Sequence, residues 1–94
     1  SPTNPISVSL LCLDFDIDFE EKCKIFNAFR KVITSSKFED LSIDLFRKEL
    51  VEFVPKTEYF SDLTIVRFMK AYSIHMITEL YPYACLAEAE LGLY

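Results

Sequence analysis

The sequence predicts a mostly helical domain: three major helices, a short C-terminal helix, and an extended N-terminal arm or single short strand. Three observations carry this. Apolar residues recur at steps of three and four over separate stretches, the spacing that lines one face of a helix. One Gly and four Pro leave little material for the tight turns of a strand meander. The prolines Pro55 and Pro82 fall where a helix would stop or start.

In chain order, residues 1–17 read as the arm. The letters ISVSLLCLDFDIDF are β-prone and alternate apolar and acidic from Leu13 to Phe19, as an edge strand does. Asp18 then stands three residues before Glu21, the spacing of a capping box, so a helix is expected over 18–34. Its inward residues are Phe19, Cys23, Phe26, Phe29 and Ile33. A second helix over 40–54 carries Ile43, Phe46, Leu50 and Phe53 and stops at Pro55, with Asp44 and Lys48 spaced to pair on its wet face. The third, over 62–80, is apolar on almost every side. Only Thr64, Arg67, Lys70 and Thr78 form a polar strip, and Ile74 interrupts it. A helix of that kind is central in its domain or in an assembly. The fourth, over 82–91, opens with Pro82 in its first turn and stops at Gly92.

Composition narrows the class. Of 94 residues, 51% are apolar and 15% aromatic, a high share for a chain that buries only about two-thirds of its surface. A covering partner chain, a second copy or another protein, is therefore expected. The apolar ends, including LGLY at the C-terminus, are candidates for docking on a neighbour, as is the third helix. The expected contact residues are Phe15, Ile17, Arg67, Lys70, Ile74, Leu91, Leu93 and Tyr94. No apolar run approaches the roughly 20 residues of a membrane span. Three cysteines, Cys12, Cys23 and Cys85, lack the spacing of a secreted disulfide framework, which predicts an intracellular, cytoplasmic or nuclear setting.

The net charge of minus five is unevenly spread. All basic residues lie between 22 and 70, and both ends are acidic. A nucleic-acid contact through Lys22, Lys24, Arg30 and Lys31 is thus the alternative to a protein partner.

The acids of LLCLDFDIDFEEK pose the sharpest chemical question. Asp14-x-Asp16 behind an apolar run resembles the opening of the haloacid dehalogenase phosphotransferases, whose two aspartates serve as nucleophile and acid/base. The resemblance ends with those letters, and residues 17 to 94 are too few for the doubly wound sheet that chemistry needs. A calcium loop starting at Asp14 requires Gly at its sixth position and Glu at its twelfth, where Phe19 and Ile25 stand. The acids therefore read as a solvated face, with Leu13, Phe15, Ile17 and Phe19 turned inward. Cys12, Cys23, His75 and Cys85 have no zinc-knuckle spacing. The expectation is a non-enzymatic interaction or assembly module that self-associates and uses no cofactor, metal or catalytic residue.

Overall fold

The computed structural model describes residues 7 to 92, which form five α-helices and no strand among them. These are α1 (Val8–Asp14), α2 (Phe19–Ser35), α3 (Ile43–Phe53), α4 (Asp62–His75) and α5 (Tyr81–Glu90). Three 3₁₀ turns, Phe38–Asp40, Pro55–Tyr59 and Thr78–Leu80, fill the connections. The radius of gyration is 12.1 Å, matching the value of about 12 Å for a chain of this length folded on itself.

Side-chain caps start four of the five helices. Ser7, Ser42 and Ser61 each accept the backbone N–H three residues on, at 3.1 Å, and Asp18 accepts that of Glu21 at 2.8 Å. Glu21 returns the bond to the Asp18 N–H at 3.1 Å, completing the expected capping box. Pro82 lies in the first turn of α5, where its missing N–H is harmless.

The extended arm is the main correction. Within the described residues, the segment from Val8 is helix. Its letters carry two periods at once: the alternation that suggests a strand, and Val8, Leu11, Cys12 and Phe15 at i, i+3, i+4 and i+7. The helical period prevails because that face packs on α4, with Leu11 and Cys12 buried and Val8 and Phe15 against the core. The expected Asp44–Lys48 pair does not form. Arg47 instead reaches across to the Asp62 carboxylate and the Phe60 carbonyl.

Helix α4 occupies the centre. Ile65, Val66, Phe68, Met69 and Tyr72 are fully buried within the chain. Phe15, next to α1, meets the Phe68 ring edge-on at 5.7 Å, and Phe29 of α2 meets the Tyr72 ring edge-on at 5.2 Å. The Tyr72 hydroxyl donates to the Lys22 carbonyl at 2.7 Å, which ties α4 to the first turn of α2. Burial pushes the Tyr72 hydroxyl pKa well above its ordinary value.

The predicted third helix is shorter than its apolar pattern, which runs on to residue 80. After His75 the Ile77 N–H turns back to the Tyr72 carbonyl at 2.9 Å, five residues earlier, and Ile77 leaves helical geometry. That wider turn brings Ile77 and Leu80 fully inside.

Candidate functional site

The connection from α1 to α2 is the stretch Asp14-Phe-Asp-Ile-Asp18. Phe15 ends α1, and Asp16 follows in the left-handed region at φ 55. The Asp16 N–H turns back to the Leu13 carbonyl at 3.4 Å and the Ile17 N–H to the Cys12 carbonyl at 2.7 Å, the bond pattern of a Schellman stop. Ile17 and Cys12 are both buried, supplying the apolar contact that accompanies such a stop. Aspartate tolerates left-handed backbone better than most residues. Two of the three aspartates thus have distinct duties: Asp16 reverses the chain and Asp18 opens the next helix, while Asp14 is the exposed last residue of α1.

Lys56 secures this corner from a distant part of the chain. Its ammonium donates to the Asp16 carbonyl and stands 3.1 Å from the Glu21 carboxylate. Backbone and charge at the corner are thereby fixed.

Of the four apolar residues expected to face inward here, Phe15 and Ile17 do. Phe15 stands 5.2 Å from the Phe60 ring as well as against Phe68. Leu13 and Phe19 point out, at 77% and 72% exposure, and Leu10, one turn before Leu13, is 56% exposed. Leu13 and Phe19 line one shallow cleft with Ser9, Cys12, Ile17, Asp18 and Lys22. A hairpin of two helices has placed three large apolar side chains on one outer corner. The signal in the sequence is the helical spacing of Val8, Leu11, Cys12 and Phe15, which forces Leu10 and Leu13 onto the opposite side.

The remaining predicted contact residues are dispersed. Arg67 is exposed on α4. Lys70 bonds the Glu88 carboxylate at 2.5 Å and lies 5.1 Å from the Tyr81 ring centre. Ile74 is half-buried and borders a second groove, between α1 and α4, with Ser7, Val8, Ser9, His75 and Met76. Leu91 is exposed just after α5. Leu93 and Tyr94 lie outside the described residues.

The four cations named for nucleic acid belong to α2. Lys24 pairs with Glu20, Arg30 with Glu79 and Lys31 with Glu49, at 3.3, 3.3 and 3.1 Å. Lys22 has no carboxylate partner among the described residues. Among those residues there is also no group of three or more His, Cys, Asp or Glu side chains placed to hold a metal, so Cys12, Cys23, His75 and Cys85 do not converge. Cys12 lies buried beside the corner, and that burial raises its thiol pKa against the pull of the Lys22 charge. No described helix is long and apolar enough to cross a membrane.

Comparison with protein-family models, curated proteins and solved structures finds no match to this chain.

Proposed function

We propose that the protein is a non-enzymatic helical interaction module that self-associates through the α1–α2 corner. The observation carrying this reading is the joint exposure of Leu10, Leu13 and Phe19 on the outside of a corner that caps, a Schellman stop and Lys56 hold rigid. Apolar side chains on a fixed frame lose little further freedom on contact, which favours binding. The occupant is a second copy because the patch is self-complementary. It offers apolar side chains with Lys22 and Asp18 both at its border, so a two-fold contact would set the cation of each copy against the carboxylate of the other.

Sedimentation over a range of concentrations tests this. The parent is expected to show a concentration-dependent mass. Leu13→Ser with Phe19→Ser should weaken association by about tenfold or more while leaving helicity intact. A monomer at every concentration defeats the reading.

The alternative, nucleic-acid contact through Lys22, Lys24, Arg30 and Lys31, has less support, because three of these four charges are already met within the chain. The two readings separate by salt. Self-association that rests mainly on apolar side chains should change little with added salt, whereas binding to a polyanion should weaken steeply. Single-stranded RNA that binds the parent, and is lost on Arg30→Glu with Lys31→Glu, would favour the alternative.

A further inference from the structure

A second surface lies away from the α1–α2 corner, in a groove between α5 and the segment leading into α3. Its volume is about 510 Å³, and Phe38, Leu41, Tyr83 and Leu86 supply its apolar surface. Phe38 and Leu86 are 50% and 42% exposed there. Tyr83 is held from beneath by the stacked Phe46 ring at 5.5 Å and meets Phe38 edge-on at 6.2 Å. The floor is therefore aromatic and anchored to the core.

The rim has one sign. Glu39, Asp44, Asp62 and Glu90 all border the groove, and no Lys or Arg does. Arg47 neutralises Asp62. The other three carboxylates have no cationic partner among the described residues, and only Asp44, in the first turn of α3, gains from a helix N-terminus. Their field reaches the floor: after burial, Glu90 and Asp44 are the charges that raise the Tyr83 hydroxyl pKa.

We propose that this groove docks a cationic amphipathic segment of a partner protein, with one apolar side chain seated over Phe38, Tyr83 and Leu86 and flanking Arg or Lys side chains meeting Glu39, Asp44 and Glu90. Charge complementarity selects this occupant. The half-exposed Phe38 ring adds a preference for guanidinium and ammonium groups through their attraction to ring faces. A second copy would bring a net charge of minus five to a rim that is already negative.

The test is fluorescence anisotropy of the intact chain with a labelled peptide of about twelve residues, a central Leu flanked by Arg and Lys. Asp44→Asn with Glu90→Gln should weaken binding by about tenfold, and Leu86→Ala by about threefold. Glu52→Gln with Glu58→Gln removes equal charge from exposed positions off the groove and should change it by less than about twofold. Circular dichroism on each variant establishes that the fold persists, and Leu86→Ala alone suffices if the Asp44/Glu90 variant unfolds. Three results would overturn the proposal. They are no measurable binding, equal loss in the two charge variants, and a peptide with Ser in place of Leu binding as tightly as the original. Loss of self-association in the Asp44/Glu90 variant would assign the groove to a second copy instead.

Discussion

Helix α4 and the α1–α2 corner reverse the roles that hydrophobicity alone would assign them. By its letters α4 is the element most in need of outside cover, yet its large buried residues are satisfied by the other helices of the same chain. The corner alternates apolar and acidic letters in the most ordinary amphipathic way, yet it leaves Leu13 and Phe19 in solvent. The content of a segment sets how much cover it needs. The number of neighbours its place in the topology provides sets whether that cover comes from within. The central helix α4 packs against several elements and along its middle leaves only a narrow strip with Arg67 exposed, whereas the seven-residue α1 at the corner is covered chiefly on the face it lays on α4.

The contrast breaks most sharply at Phe29. Its ring is fully buried against Phe46 and Tyr72, and Phe29→Ala should cost about 3–5 kcal/mol, read as a fall in the urea midpoint. If this cost were no larger than that of Leu13→Ser, the distinction between the two regions would fail. Tyr72→Phe should cost about 1–2 kcal/mol through loss of the bond to the Lys22 carbonyl.

The same residue gives a pH signature. The folded-state pKa of Tyr72 is raised, so its contribution is fully present below the unfolded value of about 10 and is lost as pH climbs from there toward the folded value. Tyr72→Phe should flatten the decline in stability above that pH, and an unchanged decline would remove Tyr72 as its source.

At the corner, Asp18→Ala should cost about 1 kcal/mol, since the Glu21 N–H loses its carboxylate acceptor while the backbone bond from residue 18 to the Glu21 carboxylate remains. The smallest effect belongs to Leu13→Ser, expected within about 0.5 kcal/mol of the parent in monomer stability. A large loss there would mean that the side chain is not as free as its exposure indicates.

Helix content, the capping box at Asp18 and the stop at Pro55 were legible in the sequence because each rests on interactions within a few residues, and the centrality of the third helix because its letters are apolar on nearly every side. The arm reads as extended because the alternation from Leu13 to Phe19 overlaps the helical spacing of Val8, Leu11, Cys12 and Phe15, and docking on α4 decides between them. The same ambiguity hid the outward turn of Leu13 and Phe19. The early end of the third helix was invisible for a related reason: no Gly or Pro marks it, and the wider turn at Ile77 exists because two side chains find room in the core. The acidic groove joins Glu39 and Asp44 to Glu90 from the far end of the chain, a proximity no local pattern encodes.

Lys56 and Asp16, forty residues apart, touch only after the intervening helices have assembled. Closing so long a loop costs entropy before any contact rewards it, and a helix of seven residues does not persist alone. Docking of α1 is therefore expected late in folding, and the corner, fixed while α1 is docked, is expected to open before the middle of α4 does. Amide hydrogens of Leu11 and Ile17 should exchange with solvent faster than those in the middle of α4, and folding rates should barely respond to changes at Lys56. The outer face bearing Leu10, Leu13 and Phe19 has its fixed form only in the closed state, so its availability follows a local opening equilibrium and not the stability of the whole chain.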